Sequence, residues 1–465
     1  MYDLNISNIE NMPEEEKEKV NELVEIFNRH QSANEKKQKY YEGHIKLQEV
    51  NLGIALPKGM SRLEIGCSWG TKAVDVLASR SMFDGYVGAG GEEAEVMTQI
   101  MNENRMRAEY MKACKDELKY GCTFATLSKG GTSGCRIRFH SPEQAAAKWS
   151  GEKGRIECGL AIIDSAKDET DLNWVPSLVN YYTDEAIWVL RRTENGWNAT
   201  RYPHRMGRPL MEPMVWNATS AKPFGRSRLK EPIRRLIEGY VRTIANATIG
   251  LEFSTTPQKY LLGITDEQYD KVINEKFRQY VGNILAATTN PETGEKPVFG
   301  QLQQGTIAPH VEMMRILATQ FSAASGLSVT DTGVVNDANP TSSDAILAQT
   351  QTLVLMAEQL NAGNADALNI IARMALAIAR NTTLQELTEE ENHVIAHFKN
   401  PAMPSVAVTA DAAIKIASAR AEFASTDAFL EMVGFSQADI RRIKAQEQRA
   451  RGMTVLAAEF GASET

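Results

Sequence analysis

Apolar positions in the C-terminal half recur at helical spacing over an unusual length. Met314, Leu317, Ala318 and Phe321 stand at i, i+3, i+4 and i+7, which predicts a helix over residues 311–324. Residues 326–340 then break the pattern with Gly326, Gly333, Asn336, Asn339 and Pro340, the composition of an exposed loop too polar for a core. Thr341 to Asp344 resembles a capping box, with an acid at its third position where a helix dipole favours it. Beyond it the apolar period runs to Arg380, weakened at Gly363. About 39 residues at ~1.5 Å each make a rod of roughly 58 Å, well beyond an ordinary globular helix.

The rest of the chain divides by its period. Pro13 and the acids Glu14 to Glu16 open a helix whose apolar face is Val20, Leu23, Val24 and Phe27, and residues 34–41 continue as a charged helical stretch. Residues 69–81 and 92–119 also read as helices, the second with Val96, Ile100, Met101 and Met111 as its apolar positions. Near Gly121 the period shortens. Residues 123–127, 135–139, 156–163, 178–182 and 186–190 read as strands parted by Gly, Ser, Asp and Glu turns, and Glu194 to Trp197 signals a hairpin. Residues 226–251 return to helix with Pro232 in the first turn. A small insertion follows over 260–300: a short strand at Leu261, a helix over 267–285 and a turn ending at Gly294. The chain closes with a strand over 394–398 and helices over 409–429 and 436–451. Helices before and after a mostly antiparallel sheet predict an α+β fold.

Charge and composition narrow the function. The chain has 465 residues, enough for more than one folding unit, and a net charge of −8, which argues against a protein that coats nucleic acid. Between Arg315 and Arg373 there is no Lys or Arg, while Asp331, Asp337, Asp344, Glu358 and Asp366 are acidic; this stretch repels phosphate rather than gripping it. No apolar run is long enough to span a membrane, and the first residues lack the order of a signal peptide. Five scattered cysteines form no CxxC pair and suggest reduced thiols.

Candidate chemistry is fragmentary. Leu63-Glu-Ile-Gly-Cys-Ser-Trp-Gly70 resembles the glycine-rich motif of S-adenosylmethionine-dependent methyltransferases, with Asp84 as the nearest candidate for the ribose acid; bulky Trp69 stands where the backbone must approach the cofactor. His393 and His397 have metal-site spacing but lack the Glu of the zinc-protease motif, so a structural or surface pair is the expected role. Gly131 to Gly134 nearly forms a nucleophile elbow, yet Cys135 takes its last glycine position, leaving a Gly/Ser hairpin loop. A Walker loop is absent. No catalytic, cofactor or metal site is therefore expected. Two basic clusters, Arg226 to Arg235 and Arg441 to Arg451, read equally as solvated helix faces or binding patches.

The order of these stretches resembles the portal proteins of tailed bacteriophages, particularly long-tailed phages of Gram-positive hosts. Residues 69–80 look like that family's early helix. His204-Arg-Met-Gly-Arg-Pro-Leu210 followed by Pro223-Phe-Gly-Arg-Ser-Arg-Leu229 is similar to the approach to its first stem helix. Ser325 through Ile346 resembles its tunnel loop and the start of its wing helix, and Asp411-Ala-Ala-Ile-Lys415 with Gly434-Phe-Ser-Gln-Ala-Asp-Ile440 its C-terminal pattern.

The resemblance implies a portal-type α+β fold. Residues 1–222 would form the wing, 223–253 the first stem helix, 254–308 the clip, 309–325 the second stem helix, 326–340 the tunnel loop, 341–381 the long wing helix and 382–465 the wing completion and crown. It implies a homo-oligomeric ring, usually of twelve, at one capsid vertex of the virion, assembled in the host cytoplasm. Double-stranded DNA passes through the ring. Its partners would be the terminase large subunit, the major capsid and scaffolding proteins, and head-completion or tail adaptor proteins, with no membrane and no cofactor. Thr330, Asp331, Asn336, Asp337 and Asn339 would face the DNA, and Glu267, Asp270, Lys271 and Glu275 would serve docking at the clip. The alternatives are a methyltransferase and a capsid-associated scaffold protein without a tunnel.

Overall fold

The computed structural model describes residues 4–46, 64–88, 92–167, 174–255, 259–263, 294, 296, 298–301, 306–333, 343–402, 406–419 and parts of 422–450. The chain divides into two units. The first comprises Met1–His44, Cys67–Arg235 and Phe321–Thr465, the second Ile45–Gly66 and Leu236–Gln320.

The first unit is built on a six-stranded sheet. A short strand β1 (Ile9–Glu10) leads into helix α1 (Glu14–Glu42), which begins with three acids in its first turn and stops at Gly43, whose φ of 75° ends it in the left-handed conformation. Strands β7 (Ala145–Ser150), β8 (Arg155–Lys167), β9 (Trp174–Tyr182), β10 (Ala186–Thr193) and β11 (Gly196–Pro203) form an antiparallel meander, and β1 adds in parallel beside β11. Register pairs Leu160 with Tyr181, Tyr181 with Trp188, and Leu190 with both Val179 and Ala199, so one face presents a continuous apolar row. Val20, Leu23 and Phe27 of α1 close on that face with Leu4 and Ile6, forming a core of fully buried side chains.

A second layer carries a three-stranded sheet, β12 (Met211–Val215), β5 (Cys122–Lys129) and β6 (Cys135–His140), in that order. Helix α2 (Trp69–Ala78), strand β4 (Phe83–Val87), helix α3 (Glu92–Glu103) and helix α4 (Met106–Tyr120) precede it. Residues 92–119, expected as one helix, are two: Arg105 adopts φ 48° between them, and Met111 is exposed rather than apolar core. Helix α5 (Glu231–Thr255) starts five residues later than the sequence suggested. It begins where Pro232 fits the first turn; before it, Ser227 and Arg228 bond to α4 and Arg226 bonds to Trp216.

Helix α6 (Ala308–Ser325) leads to a 3-10 turn, Thr330–Thr332, and then to helix α7 (Ser343–Arg380), close to the predicted rod. Its described half before Asn361 buries one face through Leu353, Ala357 and Leu360. Farther on it is enclosed nearly all round, from Leu368 through Ile371, Ala372 and the run Met374 to Ile378. Helix α8 (Glu389–Asn392) and strand β15 (Ile395–Phe398) follow; β15 pairs antiparallel with β4. Helix α9 (Val406–Ala419) is shorter than expected, since residues 422–423 lie in a 3-10 turn.

In the second unit β2 (His44–Lys46) pairs with β3 (Glu64–Gly66), and β13 (Lys259–Leu262) pairs antiparallel with β14 (Val298–Gln301), the strand expected at Leu261. Gly239 of α5 lies against Leu317 of α6. The helix expected over 267–285 lies outside the described residues. Among the described residues no helix is long and apolar enough to cross a membrane.

Candidate functional site

The approach to α5, the end of α6 and the flank of α7 meet at a buried arginine. Arg228 stood in a basic cluster that the sequence placed on a helix start; the structure instead buries it to 8 % exposure, before the helix begins. Its Nε donates to the Ala73 carbonyl of α2 at 2.6 Å, and its Nη2 to the Ser325 carbonyl at 2.6 Å. Ser325 ends α6, so this carbonyl has no partner within the helix, and the cation also meets the negative end of the helix dipole. The Trp216 ring lies 5.8 Å from the guanidinium, and Met356 of α7 brings its sulfur to 3.6 Å. Burial pushes the guanidinium down to about 10, so it stays charged at neutral pH. The segment carrying it is fixed by main-chain bonds from Arg226 to Trp216 and from Arg228 to Leu118, and by Ser227, whose hydroxyl donates to the Lys119 carbonyl at 2.5 Å.

Beside Arg228 the turn after α6 is packed rather than free. Gly326 takes φ 70°, and Leu327 and Thr332 are buried. Trp69 opens α2; its ring lies 4.7 Å from Phe321 and its indole N–H donates to the Thr332 carbonyl at 3.0 Å. The first part of the stretch read as an exposed polar loop is thus anchored. Its polar side chains serve the turn: Asp331 Oδ2 accepts from the Ser328 N–H at 3.1 Å and its hydroxyl at 2.7 Å, and that hydroxyl lies 2.7 Å from Thr330 Oγ1. Thr330 is exposed and Asp331 half-buried. Asn336, Asp337 and Asn339, and the clip candidates Glu267, Asp270, Lys271 and Glu275, lie outside the described residues.

The same placement bears on the glycine-rich motif. Trp69, the bulky residue of that motif, is buried at the start of α2, and a Cβ on Gly70 would overlap the Tyr40 carbonyl. The cysteines are all buried and free, and burial pushes the thiols of Cys67 and Cys158 up, to about 11 and about 12. His393, just past the end of α8, has its Nδ1 2.6 Å from the carbonyl of Glu389, the first residue of that helix, while His397 sits in β15; no group of ligands that could hold a metal occurs among the described residues. Gly131 to Gly134 form the expected hairpin loop, with the N–H groups of Thr132 and Ser133 donating to Glu103.

A second buried polar cluster, not foreseen from sequence, ties α7 to α4. Asn364 Nδ2 donates to Glu117 at 2.8 Å and to the Tyr110 hydroxyl at 3.0 Å, and that hydroxyl lies 2.6 Å from Ser81 Oγ. Burial pushes the Glu117 carboxyl up to about 8. An Asn inside an apolar helical period was the available signal, but sequence alone does not say what it meets.

Comparison with known proteins gives one match over nearly the whole chain: the sequence model described as "Phage portal protein, SPP1 Gp6-like" fits residues 21–453. No curated protein matches the chain. Among solved structures, a chain from the virion of a native gene transfer agent particle is 12 % identical with a TM-score of 0.46, the match covering 79 % of this chain and 89 % of that one. A chain from the neck of an empty particle of that kind, computed with C6 symmetry, is 10 % identical with a TM-score of 0.45, covering 84 % of this chain and 92 % of that one.

Proposed function

We propose that this chain, which belongs to the SPP1 Gp6-like phage portal protein family, forms a ring at one vertex of the capsid and serves there as the channel for DNA packaging and ejection. The single observation that carries the reading is the family match from residue 21 to residue 453, which spans both units. The ring has twelve subunits, assembles in the host cytoplasm and stays in the virion. Its partners are the terminase large subunit, capsid and scaffolding proteins, and head-completion or tail adaptors; a long-tailed phage of a Gram-positive host fits the motifs. The subunit acts as structure, without chemistry of its own.

The division of labour follows the resemblance. Residues 1–222 are the wing, 223–253 and 309–325 the stem helices, 254–308 the clip, 326–340 the tunnel loop, 341–381 the wing helix and 382–465 the wing completion and crown. The Arg228 tie supports this division, since it joins the approach to one proposed stem helix to the end of the other. Asp331 and Asp337, repeated around the ring, make a negative collar along which phosphates slide. Glu267, Asp270, Lys271 and Glu275 dock the motor.

Native mass measurement and electron microscopy of the purified full chain test the ring. A closed assembly of about a dozen subunits is expected; a monomer at every concentration would overturn the reading. Within intact rings, Asp337→Lys should disturb DNA packaging in a salt-dependent way, and normal packaging at every ionic strength removes the collar. Charge reversal at Glu267 and Asp270 should weaken motor docking and leave rings whole. Saturable S-adenosylmethionine binding, abolished by Gly66→Val, would instead support the methyltransferase.

A further inference from the structure

The outer edge of β6 carries an incomplete strand ladder. Leu127 of β5 receives its partner from the β12 side, its N–H donating to the Leu210 carbonyl, whereas Gly130 donates to Gly134 across the β5–β6 hairpin. Alternation then turns the main-chain groups of Arg136, Arg138 and His140 toward β5, and those of Cys135, Ile137 and Phe139 outward. Asn104, between α3 and α4, occupies part of that edge as a single added residue would. Its Nδ2 donates to the Cys135 carbonyl at 2.9 Å, and its Oδ1 accepts from the Ile137 N–H at 2.8 Å. The edge beyond it, at the Ile137 carbonyl and both main-chain groups of Phe139, has no partner among the described residues.

This open edge lines a groove of about 400 Å³ to which Ile162 and Ile163 also contribute. Arg136 and Arg138 stand exposed on alternate positions of β6, and Arg105 is exposed across the groove. None of the three has an ion pair among the described residues. The two carboxylates at the groove are already engaged: Glu103 by the Thr132 and Ser133 N–H groups, and Glu109 by Lys112 at 2.7 Å. Three cations without an ion pair therefore share one groove with a strip of unpaired main chain and two isoleucines.

We infer that the free edge of β6 receives an extended acidic segment of a partner protein, which adds as a strand past Asn104 and places carboxylates against Arg105, Arg136 and Arg138. Main-chain bonds supply affinity and the alternating arginines supply the preference for acid. Charge complementarity selects this occupant, and the main-chain strip and the two isoleucines favour a polypeptide over nucleic acid. The inference does not depend on the channel reading, because the groove is formed within a single subunit.

Fluorescence anisotropy on the full chain, with a labelled peptide of alternating Glu and Val as probe, tests it. Saturable binding is expected, weakened about tenfold or more by Arg136→Ala with Arg138→Ala and restored in part by the paired Lys substitutions. The same peptide N-methylated at alternate residues should not bind, since it cannot complete the ladder. Both arginines are exposed, so the unfolding transition of the double variant should match the parent. Equal binding of a Lys–Val peptide, undiminished binding of the N-methylated peptide, or stronger binding of a thymidine oligonucleotide would overturn the proposal. So would binding to dispersed subunits but not to rings, which would give the edge to a neighbouring copy. Rings that never form leave the binding measurement intact, so its failure is distinguishable from failure of the channel reading.

Discussion

The indole of Trp69 holds the main-chain carbonyl of Thr332 at 3.0 Å, joining the first turn of α2 to the turn after α6. The hydrogen bond and the stacking on Phe321 are separable. Trp69→Phe keeps a ring beside Phe321 and orphans a buried carbonyl, at an expected cost of about 1–3 kcal/mol. Trp69→Ala removes both and should cost roughly 3–5 kcal/mol. Denaturant midpoints of the two variants at equal slope check the order; equal losses would show that the indole N–H contributes nothing.

Arg228 makes two main-chain bonds from one guanidinium. Arg228→Lys retains the charge but lacks the fork that reaches Ala73 and Ser325 together. Arg228→Met should leave two carbonyls less satisfied and lower stability by about 2–4 kcal/mol, with Lys intermediate. Thermal unfolding of both variants measures this, and native mass spectra show whether assembly falls in step.

Glu117 binds its proton more tightly in the folded chain than in the unfolded one, since burial pushes it up to about 8. Between roughly pH 5 and 8 the folded state therefore holds more protons, and stability contributed by this site falls as pH rises, by up to ~1.4 kcal/mol per pH unit. Glu117→Gln removes that slope. The variant should gain on the parent from pH 5 to about 8 and level off above it; parallel stability–pH curves would show that Glu117 does not titrate there.

Gly326 leaves α6 with φ 70°, and a Cβ there would run into the Met356 side chain. Gly326→Ala should cost about 1–2 kcal/mol from the backbone alone, with more from the overlap. Adding Met356→Ala should recover the second part only. A double-mutant cycle by chemical denaturation separates the two, and full additivity would exclude the contact.

Periodic segments were legible in the sequence, and contacts between distant segments were not. The long α7 and the main strands follow from spacing, because burial of one face imposes it. β7 escaped because Ala145, Ala146 and Ala147 read as helix formers. β12 escaped because Pro213 argues against a strand. The register places the missing N–H of Pro213 on the outer edge of the sheet, away from β5, where proline is tolerated. Arg228 looked like any member of a basic cluster, and only the fold distinguishes it from Arg226 two residues earlier. Gly326 and Gly333 correctly announced a turn, but the anchoring by Trp69 depends on a residue 263 positions away from Thr332.

The enclosed half of α7 bears on which changes of length the chain tolerates. Each residue of a helix turns the next by about 100°, with about 3.6 residues per turn. A single deletion between Asn364 and Arg380 would therefore rotate Arg380 away from Glu391, which it meets at 2.9 Å, if Asn364 kept its grip on Glu117. One end or the other must lose its partner, and the alanines that admit neighbouring strands at close range would be exchanged for larger side chains. Substitutions of similar volume can drift along this segment, whereas its length is held fixed. The exposed hairpin tip between β7 and β8, with Gly151 and Gly154 facing open space, has no such constraint. Insertions and deletions among related chains should accumulate at tips of that kind and be missing from the second half of α7.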